Sequence, residues 1–174
     1  MKTPIISVIA ILSVIGCGPP PLCSADGVEF YGLTVSDGDR MPPGWSCLKF
    51  TLAVEAVINT FDTMRPQPSF ERAQALANFS GASVHIHPET SWFSEVHDIM
   101  VSGLTFCETR QMLVHNKPPD QSDAFSHEMA HIAQACRAME HQDWQTPNDA
   151  GVTINAAIIK AREAIGEAFA RFSL

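Results

Sequence analysis

Basic residues are scarce in this chain: 11 Lys and Arg stand against 19 Asp and Glu, a formal net charge of −8, and nowhere do the cations cluster. That balance argues against a nucleic-acid partner, whose phosphates demand a basic patch. No Cys-x-x-Cys spacing occurs among the 5 cysteines, so a cysteine-ligated zinc site is a poor reading. Tyrosine is nearly absent, with Tyr31 alone. The apolar run at residues 5–15 falls well short of the roughly 20 residues that cross a bilayer as a helix. What remains is ordinary: 174 residues, 45% apolar and 17% charged, enough for one domain with its own core.

Met1-Lys2-Thr3 followed by the apolar residues 5–15 has the form of an export signal. Its end, Val14-Ile15-Gly16-Cys17, resembles a bacterial lipobox, in which cleavage precedes the cysteine and the cysteine is lipidated. The resemblance implies a signal peptide over residues 1–16 and a chain anchored by Cys17 to the bacterial cell envelope. A conventional signal and a soluble secreted product is the alternative. Gly18-Pro19-Pro20-Pro21 cannot continue a helix and favours an extended tether, so residues 17–44 are expected to be tether and irregular segment, with the domain at 45–174. Four cysteines remain, Cys23, Cys47, Cys107 and Cys136. An even count in an exported chain suggests two disulfides; of the three pairings we prefer Cys23 with Cys47 and Cys107 with Cys136.

Periodicity then gives an element order. Val28 to Tyr31 reads as a short strand, and Phe50, Val54, Val57, Ile58, Phe61 and Met64 fall on one face of a helix over residues 47–64, ended by Pro66 and Pro68. Residues 69–81 read as a polar connection. Residues 82–88 alternate as a strand, with Val84 and Ile86 on one face and His85 and His87 on the other. A His-x-His pair can bind metal, with Glu89 and His97 as partners, but two histidines on a solvated face is the better reading. The stretch around Trp92-Phe93 reads as irregular, and residues 101–116 as a hairpin: Gly103 to Phe106, a turn near Glu108-Thr109-Arg110, then Gln111 to His115.

The strongest local signal is Ser126-His127-Glu128-Met129-Ala130-His131-Ile132. On a helix, residues i and i+4 lie about 40° apart round the axis and about 6 Å along it, so both imidazoles can reach one ion while Glu128 stays free to meet a water on it. Phe125, Met129, Ile132, Ala133, Cys136 and Met139 recur at helical spacing, and Asp120, Ser122 and Asp123 offer N-caps behind Pro118-Pro119.

Motif and element order together resemble the zincin metallopeptidases. The resemblance implies an α+β, zincin-like single domain: a small mixed or antiparallel sheet over the active-site helix, an N-terminal and a C-terminal helix, and one strand within residues 101–116 as the edge to which an extended substrate adds. It further implies one Zn2+ per chain on His127, His131 and a third ligand, Glu128 as general base, and a peptide or protein substrate.

The metzincin branch carries its third histidine six residues after the second, behind a turn glycine. Arg137 and Gln134 stand there, which excludes it. His141 is the leading third ligand; it requires the helix to end near residue 137 and the chain to return over about 9 Å, within the roughly 13 Å that four extended residues span. Trp144 would anchor that loop on the core. Asp143 has more slack. In the C-terminal helix over residues 152–172, Glu163-Ala164-Ile165-Gly166-Glu167 resembles the gluzincin pattern, which makes Glu163 a further alternative. His115 is a guess for the oxyanion stabiliser. Two other classes stand beside the hydrolase: a non-catalytic zinc-binding surface module of zincin ancestry, and a lipid-anchored structural protein without metal.

Overall fold

The computed structural model describes residues 22–24, 27–35, 45–66, 71–134, 143–172 and 174. Among the described residues the fold is mixed α+β, with four α-helices and a six-stranded mixed sheet. Strands β1 (Leu22–Ser24), β2 (Gly27–Phe30) and β3 (Leu33–Val35) form an antiparallel meander at one edge. Helix α1 (Cys47–Met64) and helix α2 (Arg72–Phe79) follow, then β4 (Ser83–His87), a separate hairpin of β5 (Trp92–Ser94) and β6 (Ile99–Val101), and the hairpin of β7 (Gly103–Phe106) and β8 (Gln111–His115). Helix α3 (Ala124–Ala133), a 3-10 turn (Asp143–Gln145) and helix α4 (Ile154–Arg171) complete the chain. The sheet runs β1-β2-β3-β4-β8-β7, with β4 parallel to both β3 and β8, and with β7 an edge.

Register tells which side chains share a face, because residues opposite one another across a ladder point the same way. One row runs Val35, Val84, Met112, Thr105, and the next Ile86, Val114, Gly103. The valines, Met112 and Ile86 are buried in the core with Phe50, Val54, Ile58, Phe61, Phe125, Ile154 and Ile165 from the helices. The other face carries His85 with Leu113 and Leu104, and His87 beside His115. Hairpin β5–β6 touches that face through Trp92, whose ring stacks on His87 with centroids 4.3 Å apart.

Several elements form where the pattern places them. Helix α1 has the expected bounds; Ser46 Oγ accepts from the Lys49 N–H at 3.2 Å, and Arg65 closes the helix in the left-handed region at φ 46° before Pro66. Strands β4, β7 and β8 match the expected strand and hairpin, and Thr153 caps α4 through the Ala156 N–H.

Three regions depart from expectation. Upstream of Trp45 the strand expected at Val28 to Tyr31 is present as β2, but β1 and β3 flank it where an irregular segment is expected, so half the strands of the sheet precede Trp45. Tyr31 and Gly32 make their turn with φ of 54° and 75°, and a Cβ on Gly32 would come within 2.9 Å of Ser80 Cα, so only glycine lets the α2–β4 connection approach. Tyr31 then donates to Glu55 Oε1 of α1 at 2.6 Å; burial, followed by that carboxylate, pushes the phenol up to about 12. The polar connection holds α2, whose Ala75 and Phe79 are buried. The stretch around Trp92 is a hairpin.

Candidate metal centre

Helix α3 is fixed at both ends. Asp123 is its N-cap residue, its carbonyl accepting from the His127 N–H at 2.8 Å, and Arg162 of α4 lies 3.2 Å from the Asp123 carboxylate. At the other end Asn78 Nδ2 of α2 donates to the Ala133 carbonyl at 2.7 Å, and Gln74 Nε2 donates to Asn78 Oδ1. A buried amide thus takes one of the carbonyls a helix end leaves orphaned. The helix closes at Ala133 rather than near residue 137, two residues past His131.

His127 and His131 lie on one side of α3 with ring centroids 5.1 Å apart and planes at 68°. A zinc–nitrogen bond of about 2.1 Å plus about 1.2 Å to the ring centre would put each centroid some 3.3 Å from a shared ion, and two such rings at a tetrahedral angle about 5.3 Å from each other. The observed spacing agrees within a few tenths of an ångström. The spacing of the pair is thus compatible with two nitrogen donors to one cation. Trp144 packs against both rings, 4.6 Å from His127 and 4.4 Å from His131, and is itself fully buried. Trp144 is thus seated in the core, and the loop it is expected to anchor, at residues 135–142, lies outside the described residues. His131 is buried and His127 half-buried.

Glu128 lies under the edge strand. Its Oε2 accepts from Thr105 Oγ1 at 2.7 Å, and a Cβ added at Gly103 would fall 2.5 Å from its Oε1. Only 5% of the residue is exposed; burial pushes the carboxyl up to about 7, against the Thr105 hydrogen bond, which lowers it. Neither Gly103 nor Thr105 was legible as part of a site. Their one signal is that both sit at alternate positions of a strand, on the face turned to α3.

His141 lies outside the described residues, as do Cys17 with the expected signal and Cys136. Asp143 opens the 3-10 turn, but its side chain is outside the described set, as is that of Cys23 in β1. Cys47 and Cys107 are each disulfide-bonded. Glu163 is exposed on α4, paired with Lys160 and lining a groove between α1 and α4, and Glu167 lies in the same groove beside Arg171. Neither is brought to the histidine pair. Among the described residues no group of three His, Cys, Asp or Glu side chains is poised to hold a metal ion.

His115 points to the face of the sheet away from α3. It is buried there with Nδ1 accepting from the Lys117 N–H at 3.0 Å, and that position, on the opposite face, does not bring it to the histidine pair as an oxyanion donor. Tyr31 is committed to Glu55. No helix among the described residues is long and apolar enough to cross a membrane. In comparisons with family models, curated proteins and solved structures, the chain matches none.

Proposed function

We propose that this chain is a zinc-dependent peptidase of zincin type, exported and held at the bacterial cell envelope through Cys17. The observation that carries the reading is the pair of imidazoles 5.1 Å apart with the intervening carboxylate buried against an edge strand. The strand order supports it as well: β7 is an edge strand antiparallel to β8 and lies against α3, where an extended peptide could add to its outer side by main-chain hydrogen bonds.

His127 and His131 would hold the zinc, with His141 as third ligand and Asp143 or Glu163 as alternatives. Trp144 favours His141. Its ring sits on the histidine pair, and the three chain steps from position 141 to position 144 span at most about 11 Å. Glu163, engaged by Lys160 on an exposed face, is the weaker alternative.

A zinc ion bound there would lower the pKa of its water towards neutrality and polarise the scissile carbonyl. The rest falls to the chain. Glu128 would take the proton of the attacking water and hand it to the leaving amine, a general base whose carboxyl burial raises above the usual carboxylate range. Edge strand β7 orients the peptide, and Trp144 shuts one flank of the pair to solvent.

One observation favours a second reading. Glu128 is almost wholly buried under β7, which also suits a zinc-binding surface module that cleaves nothing. Glu128→Gln separates the two. For the peptidase, the zinc-loaded variant keeps one equivalent of zinc and loses cleavage of an unfolded protein substrate by at least about a hundredfold. Unchanged cleavage sinks the role of Glu128; stoichiometric zinc with no turnover in the wild type favours the module; no zinc in protein purified without added metal ends both.

A further inference from the structure

We infer that Thr105 is a positioning residue for the Glu128 carboxylate, acting in the gap that Gly103 leaves, so that the strand offered to the substrate also sets the place of the base. The inference rests on the peptidase reading above and deepens it.

The geometry is specific to this chain. Thr105 Oγ1 has one proton and two acceptors in range: Glu128 Oε2 at 2.7 Å and the Glu128 carbonyl at 3.4 Å. The shorter contact takes the proton, since hydrogen bonds to carboxylates are short and strong. With Oε2 engaged, rotation of the carboxyl group is fixed and Oε1 is left as the oxygen free to accept from a water. Oε1 lies where any side chain at position 103 would stand, because a Cβ there meets Oε1 at 2.5 Å, Cγ at 2.8 Å and Cδ at 3.0 Å. Glycine is required by that approach rather than by its backbone.

Thr105 and Gly103 are opposite Met112 and Val114, on the face turned to α3, while a peptide adding to β7 would use main-chain groups in the plane of the sheet. Substrate can therefore dock on the strand without displacing either contact. Any movement of β7 on docking is passed to the base through Thr105. General bases act only within hydrogen-bond reach, and a misplacement of about 1 Å can cost about a hundredfold in rate.

The test compares Thr105→Val, which keeps the shape and removes the donor, with Thr105→Ser, which keeps the donor. In the zinc-loaded protein, Thr105→Val should lower kcat by about a hundredfold, with KM and bound zinc within about twofold of wild type, and Thr105→Ser should recover kcat to within about threefold. Equal kcat in wild type and Thr105→Val overturns the inference, as does a serine variant no better than valine. The second readout needs no turnover. In crystals of the metal-free proteins the Glu128 carboxylate should leave its place beneath β7 in Thr105→Val and keep it in Thr105→Ser; a carboxylate that stays put in both overturns the inference. If wild type binds zinc and cleaves nothing, the peptidase reading fails and the structures alone decide. Should Thr105→Val not fold, Thr105→Ala carries the same comparison.

Discussion

His115 shows how the surroundings of a buried polar group shape its response to pH. The imidazole is 3% exposed, and burial, then the charge of Lys117, pulls its pKa below the ordinary 6.5. A folded protein that resists a proton the unfolded chain accepts is most stable while both forms are neutral. The stability tied to His115 is therefore intact above about pH 6.5 and is lost as the pH falls through 6.5 towards the lower folded value. His115→Asn keeps an acceptor for the Lys117 N–H without the titration. Thermal midpoints at pH 7.5 and pH 5 should fall further in wild type than in the variant; parallel losses would mean that His115 does not carry the effect.

Among the elements, α3 depends on α2 for its end. The Ala133 carbonyl has Asn78 as donor in a buried setting, and depriving a buried group of its partner costs about 1–3 kcal/mol. Asn78→Asp keeps the size and removes the donor, so urea denaturation should show a loss at the upper end of that range, and bound zinc should fall because His131 is two residues from the freed end. A change under about 0.5 kcal/mol would show that α3 ends without this bond. That dependence also explains what was legible. Helices α1 and α4, at 18 residues each, repeat their apolar face often enough to be read, and β4 and most of β8 alternate buried and less buried positions, with β7 read as the strand that the turn pairs with β8. Helix α2 has eight residues and buries only Ala75, Asn78 and Phe79, too little for a period. Hairpin β5–β6 leaves Phe93, Ile99 and Met100 exposed, so its apolar residues do not mark a buried face. At the centre, His127, Glu128 and His131 were readable because one helix sets their spacing. Thr105 was not, because its contact with Glu128 spans 23 residues and exists only once β7 lies over α3.

At the scale of the molecule, the sheet makes the chain upstream of Trp45 part of the fold. Strand β3 pairs in parallel with β4, and Phe30, Leu33 and Val35 are each under 5% exposed in the shared core. Burial of three such side chains stabilises by roughly 5–8 kcal/mol, comparable to the whole net stability of many domains, about 5–15 kcal/mol. Removing them would also bare the inner edge of β4 and leave the Glu55 carboxylate, 7% exposed in α1, without the Tyr31 hydroxyl. A chain shortened to begin at Leu22 should then unfold cooperatively, with a zinc content equal to that of the full chain. One beginning at Trp45 should give no cooperative thermal transition and poorly dispersed amide resonances. The contrast separates two ideas of the molecule. If the chain from Trp45 folds and holds zinc, β1–β3 are an appendage and the centre needs only β4, β7, β8 and the helices. If it does not, the histidine pair depends on a sheet whose first strand lies more than a hundred residues before it, because β3 holds β4, β4 holds β8, and β8 with β7 holds α3.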